Sequence, residues 1–242
     1  MEFRVLRRLF PADPNRLSGE YYAGRSKLKV HLGEDIFERL RGKTVVDFGC
    51  GQGHQTIEIA QQGAALSIGV DVREELLVAA GEKAAGVPNA TFLNSTRLGT
   101  TQFADFVLSI DAFEHFADPE GALRQMYGLL KPGGLLLVSF GPPWLHPLGG
   151  HAFSVFPWSH KLLSEQALCR WHNAVQQTHL LRFEEADGGL NRMTIARFQA
   201  LARLSPFRRV SITLVPIRKL RRFHHRITRE LTTAAIHGEF EK

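Results

Sequence analysis

Val45-Val46-Asp47-Phe48-Gly49-Cys50-Gly51-Gln52-Gly53 is the stretch on which the fold turns. The apolar run after Lys43 reads as a buried strand, glycines follow at every second position, and a helical pattern starts near Gln55. Strand, glycine loop and helix in that order make a cradle for a nucleotide-like ligand. A loop without side chains lets the backbone approach the ligand and adopt left-handed dihedrals. Asp47 ends the strand with a carboxylate, which repels a pyrophosphate and attracts a cationic amino group. The dinucleotide fingerprint G-x-G-x-x-G would place its third glycine at position 54, where His54 stands.

The stretches downstream repeat the strand-helix alternation. Leu66–Val70 reads as a second strand ending in Asp71, about 20 positions beyond the glycines, where such a layout grips a ribose diol. A cap on the helix starting near Arg73 is the competing role for Asp71, and the two are compatible. Thr91–Leu93 is a third strand, followed by Asn94 and Ser95, and Asp105–Asp111 is a central fourth. Asp118-Pro119 opens a helix through Leu123, Met126, Tyr127 and Leu130. Lys131-Pro132-Gly133-Gly134 stops it, and Leu135–Phe140 is a fifth buried strand. Unbroken βα alternation predicts a parallel sheet in an α/β, doubly wound domain.

Asp47 with Gly49, Gly51 and Gly53, the Glu114-His115 pair after the fourth strand, and the Leu-Lys-Pro-Gly-Gly turn at Leu130–Gly134 resemble the class I, Rossmann-like S-adenosylmethionine-dependent methyltransferases. The resemblance covers roughly residues 43–140. It implies a seven-stranded, mostly parallel sheet with an antiparallel last strand, and S-adenosylmethionine as cofactor. By the same resemblance Asp47 meets the cofactor's amino-acid end, Asp71 the ribose, and Asn94 or Ser95 the adenine, with Val72 and Asp111 completing the set. Asn94 stands where the family often has aspartate, and its amide oxygen still accepts a hydrogen bond. A leader that folds over the cofactor is also implied, which makes Tyr21 and Tyr22 candidate pocket residues.

With 242 residues the chain fits one domain. Its parts are an N-terminal helical lid (1–42), a cofactor core (43–140), a substrate-side insertion after the fifth strand (141–205), and C-terminal strands with a basic helix (206–242). Absence of a long apolar span or signal-peptide pattern predicts a cytoplasmic protein. Cys50 and Cys169 stand far apart, outside any disulfide or metal-ligand spacing. The formal charge of +6 modifies the surface and does not name a function.

The insertion begins with a segment too rich in proline and glycine for a helix and too aromatic for a solvated loop. Trp144, His146, His151, Phe153, Phe156 and Trp158 make it a candidate wall for an apolar or aromatic acceptor, against the alternative of a hydrophobic cover on the sheet. Gly141-Pro142-Pro143-Trp144 follows the fifth strand and begins with glycine, unlike the Asn-Pro-Pro-aromatic motif of amine methylation, so a nucleic-acid amine is not favoured. His151, then His115, are the candidate bases, since neutral imidazole suits removal of a proton from a hydroxyl or carbon acid. Metal-ligand spacing is absent from the sequence. A small-molecule acceptor is the expected partner. A methyltransferase-like domain that binds without catalysis, and a nicotinamide-dependent oxidoreductase, are the alternatives.

Helical spacing further predicts Ser164 as a cap for a helix through Val175, and another helix opening at Asn191. Ser211–Val215 is the sixth strand, and Ala235–Phe240 the last. Between them Ile217, Leu220, Phe223, Ile227 and Leu231 share one helical face against a set of arginines. Packing of that stripe on the sheet is weighed against peripheral contact with an anionic membrane or with nucleic acid.

Overall fold

The computed structural model of the chain describes residues 2–10, 24–99, 101–186 and 189–242. Tyr21 and Tyr22 lie outside the described residues. Helix α1 (Glu2–Leu9) comes first, and α2 (Lys27–Leu32) and α3 (Ile36–Leu40) follow, separated by Gly33 at φ 102°. The decisive stretch forms β1 (Thr44–Phe48), a glycine loop, and α4 (His54–Gln61). Next come β2 (Leu66–Asp71), α5 (Glu74–Lys83), β3 (Ala90–Asn94), β4 (Ala104–Ile110), α6 (Pro119–Leu129) and β5 (Leu130–Phe140). The insertion carries α7 (Ser159–Leu162), α8 (Glu165–Gln176) and α9 (Ile195–Leu204), and the chain ends with β6 (Arg209–Pro216), α10 (Arg229–Thr232) and β7 (Thr233–Glu241).

The seven strands form one sheet in the order β3-β2-β1-β4-β5-β7-β6. From β3 to β5 all pairings are parallel, and β7 runs antiparallel to both β5 and β6. This is the expected doubly wound sheet with its last strand reversed. Strand order changes direction at β1 and β4, so their carboxyl ends diverge into a crevice, the place where open α/β sheets bind ligands.

Each face of the sheet is buried by a separate apolar cluster. Leu28, Ile36 and Leu40 pack with Val45, Ile59 and Leu108 on one side. On the other, Phe113, Met126, Phe140, Phe198 and Phe240 form the larger cluster, with Phe113 and Phe198 rings 5.2 Å apart, edge to face. Asp118 accepts from Gly121 N with Pro119 in the first turn, and Ser164 caps α8 as expected; α9 starts at Ile195, capped by Thr194, rather than at Asn191. Among the described residues, no helix is long and apolar enough to cross a membrane.

Two local expectations are corrected. Strand β5 starts at Leu130 rather than Leu135 and absorbs the Pro-Gly-Gly turn as an irregularity, with a register shift between Ala104 and Phe106 of β4. The stretch from Ile217 to Leu231 is not a basic helix packed on the sheet. It holds a 3-10 turn at Arg218–Phe223, then the single turn of α10, with His224 Nδ1 2.9 Å from Thr232 Oγ1 between them. Its stripe finds no sheet to cover, because Phe198 of α9 already stands against Phe240 and beside Gly238 of β7. Phe223, Ile227 and Leu231 are consequently exposed, by 48%, 87% and 42%.

Candidate cofactor and active site

At the carboxyl edge of β1, β2 and β4 lies a cavity of ≈ 1230 Å³. That lies above the roughly 300–1,000 Å³ typical of a site for one drug-sized ligand. Gly49, Gly51, Asp71, Val72, Ser95 and Asp111, all expected cofactor residues, line it.

The glycine loop is shaped by close approach. Gly49 sits at φ 89°, and a Cβ there would stand 2.6 Å from that of Ala112. Gly53, at φ 76°, supports the loop from behind, where a Cβ would meet Phe92 at 2.6 Å and Ala80 at 2.7 Å. Asp71 ties the loop to β2: its Oδ2 accepts from Gly51 N at 2.9 Å, and its Oδ1 accepts from Arg73 N at 3.0 Å and Arg73 Nε at 3.1 Å. Burial opposes its charge, but the Arg73 and Gly51 hydrogen bonds outweigh burial and hold its pKa below the ordinary value. Both roles read from sequence therefore coexist, for the carboxylate caps the turn before α5 and also lines the cavity.

Asp47 is placed differently from expectation. It is 3% exposed, does not line the cavity, and accepts from Thr56 Oγ1 at 2.7 Å. Burial, against the Thr56 hydrogen bond, pushes its carboxyl up to about 6. Its position makes it a pin between β1 and α4 beneath the loop. Asn94 is also turned away, donating to Val72 O at 3.1 Å and Glu74 Oε2 at 3.0 Å, which leaves Ser95 at the cavity wall.

Asp111 also faces the cavity, with φ 50°, a left-handed conformation uncommon outside glycine. Lys27 Nζ lies 3.1 Å from its Oδ2, and His31 Nε2 lies 3.6 Å from its Oδ1. Burial would raise the Asp111 pKa, but His31 and then Lys27 bring it down to about 2. Lys27 and His31, brought by α2 from the N-terminal segment, carry no motif and were not singled out in the sequence. Cys50 is inert, since burial beside Asp47 and Asp71 pushes its thiol up.

Glu114, His115 and His151 gather ligand-type atoms within 4.8 Å of one another, a cluster that no sequence spacing announces. His115 lines the cavity, and its Nδ1 donates to the Gly189 carbonyl. His151 stands edge-on behind it, ring centroids 5.6 Å apart, with Nε2 3.2 Å from the Pro142 carbonyl. Burial, reinforced by His115, pushes the His151 pKa down to about 4. Glu114 is 3% exposed, and burial followed by the charge of Asp111 pushes it up to about 8.

The expected aromatic wall is mostly core. Trp144 and Phe153 are buried with Leu6 of α1 and Leu168 and Trp171 of α8, and neither lines the cavity. Their rings pack on Phe183 at 6.0 and 4.5 Å. Phe156 stacks on Phe10 at 5.4 Å, and Trp158 Nε1 donates to Leu145 O at 3.1 Å. His146 Nδ1 accepts from Leu148 N at 2.9 Å within its own turn. Once α1 and α8 lie across the segment, burying these rings gains more than leaving them on an open rim.

A family model described as a methyltransferase domain matches residues 21–203. The chain belongs to this family. It is a class I S-adenosylmethionine-dependent methyltransferase domain, and the cofactor of that family is S-adenosylmethionine. Similar relatives include an uncharacterized methyltransferase of Mycobacteroides abscessus, 30% identical over 54% of this chain and 54% of that protein. A ubiquinone biosynthesis O-methyltransferase of Parvibaculum lavamentivorans is 30% identical over 64% of this chain and 59% of its own length. The chain thus spans somewhat over half the length of these relatives. The PH0226 protein from Pyrococcus horikoshii shares the fold, with TM-score 0.60 and 19% identity across 97% of both chains. The methyltransferase cradle fits S-adenosylmethionine on its own geometry: glycines at Gly49 and Gly51 where the backbone lines the cavity, a carboxylate at the end of β2, and an ion pair, Asp111 with Lys27, after β4.

Proposed function

We propose that this protein transfers a methyl group from S-adenosylmethionine to a hydroxyl or acidic carbon of a small, apolar or aromatic acceptor. Bound cofactor supplies an electrophilic methyl on a sulfonium; the chain supplies alignment and a proton acceptor. Asp71 holds the ribose through its carboxylate, with Ser95 toward the adenine. Asp111 attracts the ammonium and Lys27 the carboxylate of the amino-acid end, a pair of charges complementary to a zwitterion.

His115 carries the reading. Because its Nδ1 donates to the Gly189 carbonyl, the lone pair is on Nε2, and the residue lines the cavity. His115 takes the acceptor's proton, and His151, neutral and packed against it, is a positioning residue. This reverses the order of preference drawn from sequence. The likeness to an O-methyltransferase of ubiquinone biosynthesis supports a hydroxyl acceptor. A ribosomal protein L11 methyltransferase of Vibrio cholerae is 38% identical, but over 41% of this chain and 34% of that protein, which gives a protein acceptor weaker support.

The test is incubation of the full chain with labelled S-adenosylmethionine and a panel of phenols, quinols, carboxylates, amines and proteins. Transfer to a phenol or quinol is expected. Transfer confined to an amine or a protein overturns the acceptor class, and binding of cofactor with silence across the panel favours the binding-only domain. If calorimetry finds affinity for a nicotinamide dinucleotide and none for S-adenosylmethionine or S-adenosylhomocysteine, the reaction class itself is wrong.

A further inference from the structure

The connection between β6 and β7 is cationic and apolar at once. Arg218, Lys219, Arg221, Arg222 and Arg226 are exposed, and no carboxylate stands within ion-pair distance of them among the described residues. The acidic residue of the segment, Glu230, is occupied elsewhere, accepting from Ile195 N at 3.1 Å and Ala196 N at 2.8 Å at the start of α9. Among these cations stand Phe223, Ile227 and Leu231, with Ile227 87% exposed. The Arg222 guanidinium lies over the Phe223 ring at 4.8 Å.

The segment is folded rather than loose. Arg229 N donates to His225 O at 2.8 Å and Ile217 N to Thr232 O at 2.8 Å, so the two ends are tied and the apolar tips are presented outward. Its place on the molecule follows from strand directions: β5 and β6 both run antiparallel to β7, so β6 delivers the segment to the carboxyl edge of the sheet. That edge is the one on which the cavity opens. The start of the insertion is adjacent, since Gly141 packs against the backbone of Ala234 and Ala235.

We propose that this segment docks the protein on an anionic lipid surface, with its arginines at phosphate headgroups and Phe223, Ile227 and Leu231 dipping into the boundary below them. Unpaired cations match the negative potential of such a surface, and exposed aliphatic tips match its apolar interior. A polynucleotide would complement the cations but offers nothing to Ile227 and Leu231. Docking by this face brings the cavity mouth to the bilayer side. Docking requires only this surface and is independent of the acceptor proposed above.

The experiment is flotation of the full chain with vesicles of phosphatidylcholine alone and of phosphatidylcholine with phosphatidylglycerol, at low and high salt. Binding to the anionic vesicles, weakened by salt, is expected. The triple variant Arg221→Glu/Arg222→Glu/Arg226→Glu should lose about 10²-fold or more in partitioning, given the contribution of each cation near such a surface. Phe223→Ser/Ile227→Ser should lose the part of the binding that survives high salt. Unchanged cofactor binding and thermal unfolding in both variants establish that the loss is local. Equal partitioning on neutral and anionic vesicles, retention by the triple variant, or binding to a duplex DNA oligonucleotide but to neither vesicle, would each overturn the proposal.

Discussion

Replacing Glu114 by glutamine should change how stability depends on pH more than it changes stability itself at low pH. The carboxyl is 3% exposed, its Oε2 has no hydrogen-bond partner among the described residues, and burial first, then Asp111, move its pKa from 4.5 to about 8. In the unfolded chain the group titrates near its ordinary value. Between the two values the native state holds a proton that the unfolded chain has released, so stability falls as pH rises. The contribution is fully present below 4.5 and is lost as pH climbs through about 8. At 1.36 kcal/mol per unit, a span of roughly 3.5 units sets the total at about 5 kcal/mol, approached at a slope of at most about 1.4 kcal/mol per pH unit. Glutamine keeps the shape and has no such proton to lose. Urea unfolding of parent and Glu114→Gln across mildly acidic to mildly alkaline buffers reads the difference directly. The parent should lose stability relative to the variant steadily toward alkaline pH. Parallel pH dependences would refute a buried, protonated Glu114.

Asp71→Asn should weaken S-adenosylmethionine binding about 10-fold or more by calorimetry, because a hydrogen bond to a charged acceptor is worth about 1.5–3 kcal/mol; unchanged affinity would remove the ribose role. Gly53→Ala forces a Cβ to 2.6 Å from Phe92 at φ 76°, and about 1–3 kcal/mol of stability should be lost, seen as a lower unfolding temperature. His115→Ala should lower kcat by about 10²-fold or more while leaving cofactor affinity nearly intact, and equal turnover would sink the base assignment. His151, with its pKa at about 4, stays neutral at higher pH, so its titration should place no limb in the rate profile near neutrality. A limb there that vanishes in His151→Ala would contradict that.

The sheet was legible because its signals are local. Alternation of buried apolar runs with helical stretches, glycines at alternate positions, and caps such as Asp118-Pro119 and Ser164 act over a few residues, and each formed where its chemistry placed it. The order of the cofactor residues along the chain was readable for the same reason, since they stand at strand ends or in the loops that follow them. What tertiary structure decided is which of those groups faces the cavity. Asp47 and Asp71 end adjacent strands alike, yet Thr56 on α4 seals the first while the second lines the site. The wall of Trp144 and Phe153 became core because α1 and α8 cover it, and the stripe at Phe223 and Ile227 became surface because α9 had already taken the sheet. Lys27 and His31 meet Asp111 across 84 and 80 positions of sequence. Periodicity measures which side chains share a face; only the packing of distant elements determines what that face meets, and hence whether a carboxyl is ionised, as at Asp111, or protonated, as at Glu114.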